Sequence, residues 1–423
     1  MPAPVARRKL LGLGAVATAG AFLAAPAARA MMNEGAVAGQ ARVPPRPPPI
    51  SARERAERCR KAALLLKASG CGSMLIEAGS TLFYLTGIDW WRSERLTAAL
   101  LSADGELMVV TPAFEQPSIE EMLAVPAQVN VWQEDENPAQ LIRTWLARNH
   151  IGHLPMAVEP TVRFFAIDAL RALQPDLLVR NGASIVDALR MIKSPAELAL
   201  MQHAANITQA AYRAIAPNIA KGMIAADIFT MMSKETLVLG GQNPSGGIQI
   251  GEGSALPHGS KKEEKVGAGS VILMDCACQV DGYYSDISRT MVFGEPDKRQ
   301  RQVWQQVREG QEVAMAAART GVAAGKVDDA VRLYYERLGW GPGYRTPGLP
   351  HRTGHGIGLD IHEPVNLVHG EMTPLAAGMC FSNEPGIYIP GSFGIRLEDC
   401  FFMTAEGARF FTVPPTDMDQ PFG

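Results

Sequence analysis

Asp275, Asp286, His355, Glu384 and Glu398 follow one another through the C-terminal part of this 423-residue chain. Four carboxylates and one imidazole are the donor set that a pair of hard or borderline divalent cations takes. Carboxylates cannot crowd into one site unaided, because each unpaired like-charge contact at 4 Å costs about 4 kcal/mol at an effective dielectric of 20. A cationic centre removes that repulsion, and the chemistry it brings is activation of water.

Two β-ribbons must position these groups. Residues 271–275 and 283–292 read as strands, and Asp281-Gly282 between them is the strongest short hairpin signal. A two-residue turn there sets Val280 opposite Tyr283 and Asp275 opposite Ser288. Asp286 then lies diagonal to Asp275 on one face, at a Cβ distance of roughly 7 Å or less. Residues 381–389 and 395–403 repeat the arrangement around Pro390-Gly391-Ser392-Phe393-Gly394. A hairpin centred on Gly391 brings Glu384 and Glu398 opposite or diagonal. Strand alternation puts Cys276 and Cys278 on the face away from Asp275, which makes them small buried hydrophobes rather than thiolate ligands.

Only eight histidines occur, and His351, His355 and His362 fall in one stretch, His351-Arg352-Thr353-Gly354-His355-Gly356-Ile357-Gly358-Leu359-Asp360-Ile361-His362-Glu363. Its glycines disfavour the helix that a His-x-x-x-His zinc site needs. They suit a tight loop and strand whose backbone passes close to a ligand. His150, His153, His203 and His369 have no such company and read as ordinary surface or core residues.

The rest of the chain supplies context. With 47% hydrophobic and 20% charged residues it is globular and can bury one large core or two smaller ones. The net charge of −3 becomes more negative once residues 1–30, with four bases and no acid, are set aside, which argues against a nucleic-acid partner. Those thirty residues read as an export signal: Arg7-Arg8-Lys9, an apolar stretch, then Ala28-Arg29-Ala30 as a cleavage site. Paired arginines before Leu10-Leu11 fit the twin-arginine route and a periplasmic destination. The stretch is short and weakly apolar for a membrane anchor, so no membrane attachment is expected after cleavage. Residues 31–50, ending in a proline run, read as an extended tether without a core. Residues 51–184 form an α/β pattern, with an amphipathic helix at 52–69 whose apolar face is Ala56, Cys59, Ala63, Leu64 and Leu66, strands at 73–76, 81–85, 97–101 and 107–111, and a helix at 138–148. A second domain, 185–423, opens near Val186. Ser194-Pro195-Ala196-Glu197 carries the cap, first-turn proline and acid of a helix start. The even count of six cysteines permits disulfides in an exported protein without requiring them.

The stretch from Asp275 through Gly282-Tyr283-Tyr284-Ser285-Asp286-Ile287-Ser288-Arg289-Thr290, then Gly354-His355-Gly356-Ile357-Gly358, Asn383-Glu384-Pro385-Gly386 and Gly394-Ile395-Arg396-Leu397-Glu398-Asp399 resembles the pita-bread metallopeptidases. Within that superfamily it is similar to the Xaa-Pro dipeptidase (prolidase) and Xaa-Pro aminopeptidase branch. The likeness covers roughly residues 51–412 and implies an α+β chain, a creatinase-type α/β N-terminal domain followed by a pita-bread catalytic domain of antiparallel sheet and flanking helices. It implies a metal-dependent exopeptidase that cleaves Xaa-Pro bonds with a metal-bridged hydroxide, using two divalent ions, Mn2+ foremost, with Co2+ or Zn2+ as alternatives. Carried over by position, Asp286 and Glu398 bridge both metals, Asp275 completes one, and His355 with Glu384 the other. Glu384 doubles as proton shuttle, and His362 contacts the substrate near the scissile amide. His258 and His351 shape the proline side, and Arg396 reaches either a ligand carboxylate or the substrate terminus. Ala277 departs from the pattern, since many relatives carry glycine there. Trp90-Trp91 implies either packing between domains or contact with a neighbouring subunit in a homodimer or higher homo-oligomer. Other outcomes for the same scaffold are a creatinase-like amidinohydrolase, a lyase, or a non-catalytic binding protein.

Overall fold

The computed structural model describes residues 43–422. Residues 1–30, read as an export signal, and most of the expected tether lie outside the described residues. The remainder of the proline segment is not free of the fold. Ile50 is buried in the main apolar core, Val43 packs against it, and Arg46 pairs with Asp281.

The N-terminal region holds six strands, β1 Ser73–Glu77, β2 Ala98–Ser102, β3 Leu107–Pro112, β4 Gln128–Trp132, β5 Met156–Val158 and β6 Val179–Asn181, in the order β4-β3-β2-β1-β5-β6. Strand β1 is central and buried on both faces. Met74 and Ile76 join one apolar layer, while Leu75 joins another with Trp145 and Leu170. Six helices surround the sheet: α1 Ala52–Ala68, α2 Ser80–Thr86, α3 Gln116–Met122, α4 Ala139–Arg148, α5 Phe164–Leu173 and α6 Ala183–Arg190.

Two expectations need correction. Residues 81–85 are helical rather than a strand. Leu82-Phe83-Tyr84-Leu85 is a short apolar run whose length and period do not separate the two, and Gly79 and left-handed Gly87 punctuate it as the helix α2. In α1, Leu64 is 68% exposed while Arg55, Arg58, Ala62, Ala63 and Leu66 are buried. The buried face of α1 is therefore partly arginine, and Arg58 reaches Glu54, Glu197 and the Tyr283 hydroxyl.

The second region opens with α7 Pro195–Ile215, whose Ser194 and Glu197 form the capping box its sequence predicts, and α8 Ala225–Val238. Strands β7 Gln242–Ile250, β8 Val271–Val280, β9 Tyr283–Tyr284 and β10 Ile287–Val292 make an antiparallel sheet backed by these helices. Helices α9 Lys298–Ala317 and α10 Gly325–Arg337 follow. Strands β11 Gly354–Gly356, β12 Glu363–Leu367, β13 Cys380–Asn383, β14 Gly386–Ile389, β15 Phe393–Arg396, β16 Asp399–Met403 and β17 Ala408–Phe410 complete the chain. Of these, β14 and β15 pair alone, while the other five form a sheet in the order β12-β11-β13-β16-β17. The apolar core of α7, α8 and β8 is continuous with that of α1 and β1, whereas α9, α10 and the last hairpin enclose a separate core. Among the described residues no helix is long and apolar enough to cross a membrane.

Candidate metal centre

The first ribbon turns as its sequence predicts. Val280 faces Tyr283 and Ser288 faces Asp275, with residues 285–286 left out of the ladder between β9 and β10. That interruption frees Asp286, while its carbonyl accepts from the Cys400 thiol and the Ser285 amide stays bonded to Cys278. The second ribbon is centred on Gly391, though its turn is shorter than expected, because Phe393 and Gly394 already belong to β15. The ladder of β14 with β15 and that of β13 with β16 share one register. In that register Glu384 stands opposite Glu398, and both sit where the ladder breaks and side chains can turn inward.

Buried polar contacts behind the ribbons lock them together. Arg289, fully buried, donates to the Ser288 and Glu398 carbonyls and to Asp399 Oδ1 at 2.6 Å. Asp399 also accepts from Gln311 of α9. Tyr212 of α7 donates to the carbonyls of Met274 and Ile287, the neighbours of Asp275 and Asp286. Close backbone approaches require glycine at two points. A Cβ on Gly246 (φ +127°) would lie 2.0 Å from the Asp275 carbonyl oxygen, and one on Gly354 would lie 2.1 Å from that of Ser382.

These constraints converge on a cavity of about 570 Å³. It is lined by all five residues singled out as metal donors and by His258, His351, His362 and Arg396. Donor atoms of Asp286, His355 and Glu398 lie within 4.8 Å of one another. His355 Nε2 is 3.3 Å from Glu384 and 3.7 Å from Asp286. Its Nδ1 donates to the Gly356 carbonyl at 3.0 Å, which leaves the Nε2 lone pair facing the carboxylates, the tautomer a metal-ligating histidine needs. Asp275 borders the cavity but leans to one side, its Oδ2 held by Arg396 Nη2 at 2.7 Å.

Electrostatics test whether cations fit. Burial, then the neighbouring carboxylates Asp275 and Glu384, push the Asp286 carboxyl well above its ordinary range. Burial and then Asp286 do the same to Glu398. Burial raises Glu384 to about 7 against the pull of Arg396. Burial, then the His362 ring 4.2 Å away, lowers His355 to about 3 and keeps it a neutral donor. A cluster of acids that cannot ionise together, beside an imidazole that stays unprotonated, is complementary to divalent cations, so the donor set fits them.

The remaining groups sort by contact. Arg396 is spent within the protein: Nε bonds Ser288 Oγ, Nη1 bonds the Tyr388 hydroxyl and the Pro257 carbonyl, and Nη2 bonds Asp275. Ser288 passes the contact on, donating to Glu398 at 2.7 Å. Both His351 nitrogens are engaged, Nδ1 by the Arg352 carbonyl and Nε2 by Tyr388. Tyr388 and Arg352 were not singled out from the sequence. A period-two count from Glu384 reaches Tyr388, whereas Arg352 carries no signal beyond its place in the histidine run. Ala277 lines the cavity and its methyl group is accommodated. Cys276 and Cys278 lie on the opposite face in the core, with burial raising both thiols, and all six cysteines are free. Trp90 packs against the core, and Trp91, stacked on it at 4.4 Å, is 66% exposed.

A creatinase-type α/β domain ahead of a pita-bread domain with an acidic, histidine-containing cavity defines a class of metal-dependent hydrolases. Family comparison agrees: residues 199–405 match metallopeptidase family M24, and residues 58–192 match the creatinase/prolidase N-terminal domain. The Xaa-Pro dipeptidase of Lactobacillus helveticus is 31% identical over 351 residues, which cover 80% of this chain and 92% of that one. Among solved structures, dipeptidase PepE from Mycobacterium ulcerans superposes with a TM-score of 0.79 at 29% identity, covering 88% of this chain and 99% of that one. A dipeptidase from Pyrococcus horikoshii gives 0.77 at 30% identity, covering 85% and 99%. The chain belongs to metallopeptidase family M24.

Proposed function

We propose that this metallopeptidase is a dinuclear Xaa-Pro dipeptidase. The observation that carries the reading is the convergence of four carboxylates and one neutral imidazole on a single cavity. Asp286, His355 and Glu398 would hold the ions at its centre, with Asp275 and Glu384 completing the set at its edges. Divalent ions there, Mn2+ foremost, supply Lewis-acid polarisation of the scissile carbonyl and an activated water. The leaving proline nitrogen must gain a proton, and Glu384, beside His355 on the cavity wall, is placed to deliver it. His362, edge-on against His355, presents its ring to the substrate from the cavity rim. His258 borders the proline side, with His351 held rigid behind it by Tyr388. The names of the bacterial relatives support dipeptides over longer peptides, and exposed Trp91 offers a contact for a second copy in a homodimer.

The test is protein loaded separately with Mn2+, Co2+ or Zn2+ and offered an Xaa-Pro dipeptide, an Xaa-Pro-Xaa tripeptide and creatine. Release of free proline from the dipeptide, with no turnover of creatine, is expected. Turnover of creatine alone, or of none of the three, overturns the reading. Export to the periplasm is a separate proposal resting on Arg7-Arg8, and normal export after both are changed to lysine would remove it.

A further inference from the structure

We infer that Arg190, the last residue of α6, is a positioning residue for the hydrolysis proposed above: it fixes the loop that holds His362 at the rim of the metal cavity. The inference rests on that reading, in which His362 meets the substrate. Residues 357–362 link β11, which carries His355, to β12, which starts at Glu363. His362 lines the cavity with its ring edge-on to His355 at 4.2 Å. The N-terminal region contributes no lining residue to this cavity, so any part it plays in catalysis runs through contacts behind the wall.

Those contacts begin at Glu363. Its Oε1 accepts from the Leu359 amide at 2.9 Å and from the Asp360 amide at 3.2 Å, which closes residues 359–363 into a turn. A carboxylate can hold two amides in place only while it is held itself. Arg190 Nη2 donates to Glu363 Oε1 and, at 2.8 Å, to Asp360 Oδ2, while Lys193 Nζ donates to Glu363 Oε2 at 2.8 Å. On its other side Arg190 Nη1 donates to the hydroxyls of Ser80 and Thr81, at the start of α2, at 3.0 and 3.1 Å. Ser80 Oγ in turn donates to Asp360 at 2.7 Å. One buried guanidinium therefore ties α2 and α6 to both ends of the turn that contains His362.

Geometry carries the effect. A guanidinium is planar, so its two Nη groups keep the helices and the loop in a fixed relation that a single flexible ammonium cannot reproduce. Ile361 and His362, the two residues between the clamped acids, both line the cavity. Slack at Asp360 or Glu363 is passed directly to the imidazole. A misplacement of about 1 Å in an active site costs about 100-fold in rate, which is the scale on which a loosened His362 would be felt.

The experiment is a double-mutant cycle on Mn2+-loaded protein with Ala-Pro as substrate. Arg190→Gln should lower kcat by about 10- to 100-fold, with KM changed less than about threefold and metal stoichiometry intact. In a His362→Ala background the same change should cost less than about twofold, because the group being positioned is gone. Arg190→Lys should recover only part of the loss, since it keeps the charge without the fork. Asp360→Asn, at a half-exposed side chain, loosens the same clamp with less risk to folding, and should show the same coupling to His362 at about three- to tenfold. Hydrogen exchange reads the clamp without turnover: the Leu359 and Asp360 amides should exchange at least about fivefold faster in Arg190→Gln and in Asp360→Asn. Equal losses in the two backgrounds overturn the inference, as does exchange unchanged from wild type. Wild type that turns over no Xaa-Pro peptide overturns the dipeptidase reading, and the exchange rates then decide alone whether Arg190 holds the loop.

Discussion

The cavity and the seam between the two regions both bury carboxylates, and they treat them in opposite ways. At the seam Glu363, only 5% exposed, takes Lys193 Nζ at 2.8 Å and the Arg190 guanidinium, and Arg190 also reaches Asp360 at 2.8 Å. Burial by itself would raise the Glu363 carboxyl, yet Lys193 and then Arg190 hold it down at about 2. In the cavity Asp286 and Glu398 are as deeply buried and Glu384 is half-buried, and the carboxyls of all three are raised instead. The seam carries its own counter-charges and needs nothing from outside. The cavity has one buried arginine for four acids and stays electrostatically unsatisfied until cations arrive. Unsatisfied charge of one sign, held by rigid ribbons, marks the functional region; balanced charge marks the structural one.

The largest effect that would break this contrast is expected at Asp286. Asp286→Ala removes the acid nearest the centre of the donor cluster and should abolish metal retention, measured by elemental analysis, with turnover down at least about 10³-fold. Full metal stoichiometry in that variant would show that the cavity acids do not act together. Next comes Glu363→Gln, which strips Lys193 of its anionic partner in a site where the amine is 5% exposed. Breaking a buried pair from one side costs about 3–5 kcal/mol. Urea unfolding should show that loss with or without metal, and a loss that disappears on adding Mn2+ would mean the seam and the cavity are one system.

Acid–base titration separates the two regions by sign. Glu363 has a folded value below its unfolded one, so its contribution is present above about pH 4.5 and fades as pH falls toward 2. Glu384 has a folded value above its unfolded one, so in metal-free protein its contribution is present below about pH 4.5 and is lost as pH rises through about 7. Metal-free protein should therefore lose stability between about pH 4.5 and 7 in chemical denaturation, and Mn2+ should flatten that slope. An identical slope with and without metal would disconnect the carboxyls from the cation.

The acidic ribbons were legible in the sequence because each is a local hairpin. Once Asp281-Gly282 and Gly391 are recognised as turn centres, register follows by counting: Asp275 falls within β8 opposite Ser288, and Asp286, Glu384 and Glu398 fall at ladder breaks. The α/β order and the capped start of α7 were legible for the same local reasons. The balanced contacts were not. Glu363 meets Arg190 and Lys193 across about 170 positions, and Arg289 meets Asp399 across 110, with no period or turn to connect them. The loop of residues 351–353 is fixed by Asp328 and Arg332, an i,i+4 pair on α10 that reads in sequence as one more solvated helix contact. Residues 81–85 read as a strand because the apolar run Leu82-Phe83-Tyr84-Leu85 is too short to have a decisive period, whereas the structure makes 80–86 a helix.

The smallest effect sharpens the contrast most. In metal-free protein Glu398→Gln removes one of the clustered charges while keeping an amide oxygen that can accept from Ser288. Ionised Glu398 faces Asp286, Glu384 and Asp275 with only Arg396 to offset them, so its loss relieves repulsion and leaves no donor unpaired. The variant should unfold at a higher urea concentration than wild type at pH 7, by about 1 kcal/mol, an amount within the repulsion of one screened like-charge contact. With Mn2+ present the order should reverse, because wild type gains binding free energy that the variant has forfeited. Glu363→Gln has no such reversal available to it. If Glu398→Gln is destabilising in both states, the cavity acids are ordinary structural charges, and the distinction between the two regions fails.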